Sequence, residues 1–393
     1  RVEKNPAPAF IPLLFTFYNF KNVGPGSLTL SLFAYGPHGI SGFEYPEEAG
    51  DCKKQDGTDA LVCEKMPEPG PQRMSLIRKA NTLLYMGLGA GYELDLKVVQ
   101  LRFGGAFKVN YLGVTQRQAA IAASNLYTPS SKKMTNGEVI MDVKADGVFM
   151  TGDLGVSADL PFGLSAGVSV LFRSTAVLQG TLGVEMFKDI AALAKMKGNG
   201  VEIETRFPMV IRGGLGWTGF GLTVEAAVVY EMWEFQKDLI VRPQNVKLVV
   251  GANETVLPEF KIPQNHTNSV SFRLGAEYNI LNLVMVRAGY FMETGATPEE
   301  LLGVGTLDYA KHGFTLGVGV NIPITGLTID IAFMHALPKK LTFDKSTALP
   351  VDVSPDNPLM KKDENVKTVS NGVYNFGMTV LSFGIKGNWG AGW

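Results

Sequence analysis

The sequence has no run of about 20 consecutive apolar residues, the length a helix needs to cross a bilayer; charge, Gly or Pro interrupts every apolar stretch. The chain therefore stays in water or crosses a membrane as a barrel. It also lacks an excess of either charge. The 36 Lys and Arg nearly balance 37 Asp and Glu, for a net charge of −1. That gives no electrostatic case for a nucleic-acid partner. Histidine is scarce, and His38, His266, His312 and His335 show no ligand spacing, so no metal site is expected. There is no G-x-S-x-G elbow and no Walker-type phosphate loop. No catalytic residue or cofactor is assigned, and an enzyme is not expected. The first residues, Arg1-Val2-Glu3-Lys4, carry neither an initiator Met nor a signal peptide, which is uninformative about targeting. Cysteine is nearly absent. Cys52 and Cys63 lie in the polar stretch 51–64, where a disulfide clipping a surface loop fits the periplasmic side or the cell surface. The alternative is two free thiols in a cytosolic loop.

What is present points to strands. The 393 residues could hold several soluble domains or one large barrel. Gly (45) and Phe (23) are abundant beside only 19% charged residues, which suits many turns and strands. The informative signal is period-two alternation. Val270, Phe272, Leu274, Ala276, Tyr278 and Ile280 alternate with Ser271, Arg273, Gly275, Glu277 and Asn279. The same pattern runs through 284–293, 314–322 and 327–334. Upstream, strands are predicted near 10–20, 26–36, 80–94, 97–112, 146–160, 163–183, 205–217 and 220–236, with a last one near 372–389 that slips around Val380-Leu381. That makes thirteen. Bacterial single-chain barrels usually have an even number of strands, so one further strand is expected ahead of the first.

The position of the charges separates the readings. Arg102, Lys108, Asp153, Arg173, Arg273, Glu277, Arg287 and Asp330 all fall opposite the apolar rows. A soluble sandwich would turn the charged face to water; a barrel turns its apolar rows to lipid and its charges to the lumen. The strands exceed globular length, short turns alternate with long loops, and Tyr92, Tyr111, Trp217 and Tyr230 stand near row ends as an interfacial girdle would. The expected fold is an all-β transmembrane antiparallel barrel, a single unit over 1–393 and integral to the bacterial outer membrane, in contact with its lipid.

The layout resembles the FadL-type outer-membrane transporters of long-chain fatty acids and other hydrophobic compounds. The resemblance is carried by Phe33-Ala34-Tyr35-Gly36-Pro37, by Leu171-Phe172-Arg173-Ser174, by Val286-Arg287-Ala288-Gly289-Tyr290 followed by Asp308 and His312, and by Met334-His335. No single motif is specific; their order and spacing are. The resemblance implies a fourteen-stranded barrel with an N-terminal hatch in the lumen, passive uptake without cofactor, and a lateral exit at a kinked third strand. The hatch and first strand would precede Ala9. They are expected to lie outside the given sequence, to be cleaved, or to be supplied by another chain.

Gly36-Pro37, with Gly39, interrupts an early strand, since Pro cannot donate to a ladder and Gly relaxes the backbone. It reads as a lateral opening or as a bulge. The loop 38–78 is expected to hold the disulfide. The loop 114–143 is expected to hold a short helix over 116–127, with Ala119, Ala120, Ala123 and Tyr127 at helical spacing; a second helical stretch covers 189–197. Ligand-binding candidates are Phe33, Tyr35, Ala123 and Tyr127 for apolar cargo and Arg102, Lys108, Arg173, Arg273 and Arg287 for a carboxylate. The competing reading pairs those cations with lumen carboxylates. The expected function is passive transport of a hydrophobic small molecule, which a detergent could mimic. The alternative is a barrel subunit of a larger assembly, docking a protein partner at the opening or through the missing strand.

Overall fold

The computed structural model describes residues 5–6, 13–36, 40–45, 51–54, 60–65, 70, 72–122, 134, 137–306, 308–344, 346–347, 351 and 370–387. Thirteen antiparallel passes follow one another in chain order. After the short β1 (Asn5–Pro6), the first pass is β2 (Leu13–Val23). The second is β3 (Gly26–Tyr35) continued by β4 (Ile40–Glu44). A hairpin of β5 (Asp51–Lys54) and β6 (Leu61–Lys65) intervenes. The third to fifth passes are β7 (Arg78–Asp95), β8 (Gln100–Ile121) and β9 (Glu138–Asp159). The sixth is β10 (Leu164–Leu171) with β11 (Ser174–Phe187). After helix α1 (Lys188–Leu193) and β12 (Ala194–Lys197), the seventh is β13 (Gly200–Phe207) with β14 (Met209–Gly219). The eighth is β15 (Leu222–Met232) with β16 (Asp238–Gln244). After β17 (Lys247–Val250) and β18 (Asn253–Val256), the ninth is β19 (Phe260–Pro263) with β20 (Ser269–Ile280). The last four are β21 (Val284–Glu293), β22 (Lys311–Ile322), β23 (Leu327–Phe343) and β24 (Gly372–Gly387).

Passes meet at one end through short turns. Between β14 and β15 only Phe220 and Gly221 intervene, both left-handed at φ 53° and 78°, as a two-residue hairpin whose twist matches its strands requires. Long loops occupy the other end, which is extracellular in such barrels. Among the described residues no ladder joins β2 to β24. Because passes alternate in direction, the first and thirteenth run the same way. One antiparallel strand between them would satisfy both edges.

The strands are longer than the membrane. β8 and β9 have 22 residues each, where about 9–11 suffice to span. In their lower halves the exposed outward residues are apolar: Phe103, Phe107, Val148, Met150 and Leu154. In their upper halves the pattern inverts. Arg117, Asp142, Lys144 and Asp146 face outward, while Leu112, Val114, Met141, Val143 and Ala145 face the interior. β11 and β13 repeat the inversion, with Leu178, Leu182, Val201 and Ile203 inside. The upper half is therefore a water-exposed extension with its own apolar core.

The inversion corrects several sequence readings. The predicted strands ended at 112 and began at 146 because they followed a single apolar row; the row changes side and the strands continue. The helix expected over 116–127 is not formed at 116–121, which is strand. There Arg117 pairs with Asp142 and Ala119 with Ile140 across the ladder, and these contacts override a weak local preference. Residues 123–133 lie outside the described residues. The helix expected over 189–197 is confined to α1, and 194–197 pairs as β12 with β17. The slip expected at Val380-Leu381 is displaced: those residues pair in register with Met334 and Phe333, and the irregularity lies between Ala336 and Lys339.

Four adjacent passes break at the junction of the two halves: at 172–173, at Pro208, at 233–237 and at 264–268. The buried amide of Gln236 mends the ladder there. Arg206 N donates to Gln236 Oε1 at 2.7 Å, and Gln236 Nε2 donates to Asp238 O at 3.3 Å. Gln236→Leu leaves a buried backbone N–H unpaired and is expected to cost about 1–3 kcal/mol, read as a lower urea midpoint; an unchanged midpoint would mean the break needs no patch.

On the outside, Cys52 and Cys63 are bonded to each other and no cysteine is free. The disulfide hairpin is attached to the sheet, since β6 runs parallel to the end of β11. Cys63, Met74, Ile77, Ala119, Ile121 and Ile140 form a buried apolar cluster beside it.

Candidate functional site

The inner face of the upper half encloses a cavity of about 420 Å³. Leu83, Leu112, Met141, Leu178, Ile203 and Phe207 make its walls. Its polar members include Lys79, Asn81, Gln116, Arg206, Gln236 and His266. Lys79 Nζ donates to Gly305 O at 3.2 Å. Burial pushes the pKa of its ammonium below the usual lysine range, because desolvation penalises the charged form. Burial likewise lowers the His266 pKa, opposed by the field of Asp308. His266 packs edge-on against Trp233 at 5.7 Å, and Trp233 Nε1 donates to Glu231 Oε2 at 2.6 Å. The result is an apolar chamber with two cations in its lining, Lys79 and Arg206, of which Arg206 pairs with Glu204 at 3.1 Å.

A second cavity of about 770 Å³ lies below, in the membrane-spanning half, and touches Ser31, Phe33, Arg102, Asp153, Arg212 and Arg273. A row of inward aromatics runs along the wall between them. Tyr35 meets Tyr85 at 5.3 Å, Tyr85 meets Phe149 at 6.5 Å, and Phe149 stacks on Phe207 at 4.8 Å. Lys108, buried, pairs with Asp153 and holds its Nζ 5.9 Å and 5.8 Å from the rings of Tyr35 and Tyr85. Gly87 makes room for Phe33, since a Cβ there would lie 2.6 Å from its ring.

The sequence candidates divide between these places. Phe33 and Tyr35 do line the lumen. Of the cations, Arg102 pairs with Glu93 and Asp159 near the short turns, Lys108 with Asp153, and Arg287 with Glu277 at 2.6 Å and with Asp330. Arg273 makes only a 3.3 Å hydrogen bond to Ser271 Oγ among the described residues. Arg173 lies over the Phe235 ring at 4.9 Å. None of the five lines the upper cavity. Ala123, Tyr127, Pro37 and Gly39 lie outside the described residues, while Gly36 is described and buried. The ladder between the second pass and β7 goes from Tyr35↔Tyr85 to Ile40↔Thr82, so the second pass holds two more residues there than its neighbour. Sequence reasoning missed Lys79, Asn110, Tyr85 and Phe149. The inward parity of β7, set by its register with β8, was the signal that could have found Lys79 and Tyr85.

No family model matches the chain, and no curated protein sequence matches it. Solved structures do. A FadL homologue from Pseudomonas aeruginosa superposes with a TM-score of 0.61, at 12% identity over 94% of this chain and 76% of that one. The chain has the FadL-type outer-membrane transporter fold. A deltaS2 mutant of the TodX monoaromatic hydrocarbon channel also superposes, with a TM-score of 0.50 at 13% identity over 85% of this chain and 84% of that one. The FadL-type fold makes the chain an integral outer-membrane β-barrel. It also sets the orientation used above, with short turns at the periplasmic end and the upper cavity at the extracellular end.

Proposed function

We propose that the protein passively transports hydrophobic compounds across the outer membrane, with long-chain, fatty acid-like amphiphiles as its cargo. The observation that carries this reading is the extracellular cavity, apolar on its walls and cationic at Lys79. Apolar surface binds the chain by the hydrophobic effect, and an ammonium in a poorly solvated site favours a carboxylate. The fold's relatives, a FadL homologue and a hydrocarbon channel, support the same class of cargo. The exit in this reading is sideways, through the wall at Gly36, Pro37 and Gly39, where the register of the second pass jumps. Arg173, Arg212 and Arg273 are lumen cations with no carboxylate partner among the described residues, placed to meet a head group farther along. Trp233 lines the cavity and reports occupancy. A brominated fatty acid is expected to quench its emission in lipid nanodiscs, and Trp233→Phe is expected to remove that component. Affinity is expected to fall as pH rises through the depressed Lys79 pKa, below the ordinary value of 10.5, because the neutral amine no longer attracts the carboxylate. A brominated alcohol of equal length is expected to show no such fall, and Lys79→Met to remove the difference. Equal pH dependence of acid and alcohol would refute the carboxylate, and no saturable quenching would refute the cavity.

A second reading, a barrel subunit docking a partner, is favoured by the edges of β2 and β24, which pair with no strand between them among the described residues. A partner strand bonded there would cross-link to a cysteine placed at Tyr18; labelling of that cysteine by lipid-soluble reagents alone would count against it.

A further inference from the structure

Strand by strand, the inward residues pass from the upper cavity to the lower one across a layer that lines neither. On β7 the upper cavity takes Leu83 and the lower takes Gly89, with Tyr85 between. On β8 the upper takes Leu112 and the lower Arg102, with Asn110 and Lys108 between. On β9 the upper takes Val143 and the lower Asp153, with Phe149 between. Asn110 sits at the centre of this layer. It is opposite Tyr85 in one ladder and opposite Phe149 in the other. It is fully buried, and neither its Oδ1 nor its Nδ2 has a hydrogen-bond partner among the described residues.

A buried side-chain amide almost always finds partners. Holding one without them is unfavourable because its hydration is lost and nothing replaces it. The closed layer therefore carries a cost that vanishes when the two rings part and the amide meets water or a polar group. The same layer is the boundary a head group leaving Lys79 must cross, since Leu112 and Phe207 on its upper side offer no hydrogen bond.

We propose that Tyr85, Phe149 and Asn110 form a gate between the two cavities, and that the Asn110 amide is the station that receives the hydrogen-bonding head of an amphiphilic cargo in transit. This rests on the transport reading for the cargo but not for the gate. An alcohol or an acid satisfies the amide as it passes. A hydrocarbon of the same length does not, so the station favours amphiphiles over hydrocarbons.

The test uses the full chain with two readouts, ion conductance in planar bilayers without cargo, and uptake of a long-chain alcohol and of the alkane of equal length into proteoliposomes. Asn110→Leu removes the unpaired amide and is expected to favour the closed layer, lowering conductance about tenfold and reducing the alcohol-to-alkane uptake ratio. Asn110→Ser keeps a polar group and is expected to retain the ratio. Phe149→Ala opens the layer and is expected to raise conductance; Phe149→Leu serves if the alanine variant does not fold. Wild-type conductance and uptake ratio in Asn110→Leu would overturn the proposal, as would wild-type conductance in a folded Phe149 variant. If conductance responds in both variants while wild type takes up neither cargo, the gate stands and the transport reading falls.

Discussion

Arginine at Val318 is expected to destabilise the barrel by roughly 2–4 kcal/mol, while arginine at Gly275 is not. Val318 is exposed on the outer row of β22, between Leu316 and Val320, partway between the short turn and the loops. Lipid there offers a guanidinium no hydrogen bonds, and snorkelling to the interface is long and costly. Gly275 lies on the inner row, opposite Glu225 of β15. A Cβ there would meet nothing within 4 Å, and a new cation would find a carboxylate neighbour. Urea titration of folding into lipid vesicles compares the two. Equal losses at both positions would mean that the outer row does not face lipid.

The second large effect is expected at Arg73. Its guanidinium holds Glu138 through two hydrogen bonds of 2.7 Å each, and the two side chains are 2% and 0% exposed. The turn that carries Arg73 also joins the top of the sheet, where Ala119 N donates to Arg73 O at 2.8 Å. Arg73→Met takes a bidentate cation away from a fully buried carboxylate, a change that costs about 3–5 kcal/mol. Replacing both partners with apolar residues is expected to restore most of the loss, because the carboxylate leaves with its cation. Thermal unfolding followed by protease cutting of the extracellular loops measures both. A single variant as stable as wild type would show that Glu138 finds another cation or takes up a proton at little cost.

The membrane-spanning half was legible because one physical rule governs it. From Val270 to Phe333 the outward row is apolar and the inward row polar, and the predicted strands match β20 to β22 closely, while β23 continues past the predicted 334 to Phe343. The extracellular half obeys the opposite rule, and nothing in a single strand marks where one gives way to the other. In β9 the apolar residues Met141, Val143 and Ala145 share the parity of Phe149 and Asp153, so the change is visible only in which neighbours are charged. The helix expected at 116–121 failed for the same reason: Gln116 and Gln118 look solvent-facing in isolation, but they line the cavity once β7 and β9 fix the register. Choosing cations by charge and strand position found Arg102, Lys108 and Arg287, already engaged with carboxylates, and Arg173 and Arg273, which do not line the upper cavity. It missed Lys79, which lies beyond the apolar row at the extracellular start of β7.

The overhang of the strands bears on where cargo first leaves water. A ligand that partitions into a bilayer before meeting its carrier must find it by lateral diffusion, in competition with the whole membrane. Here the apolar chamber lies among strands that have already emerged from the lipid, with Lys144 and Asp146 exposed on their outer surface. Its concentration scale is thus set by the aqueous phase outside the cell. In the proposed transport, the chamber works as a miniature extraction vessel, and the membrane half of the barrel begins its work on molecules that are already dry.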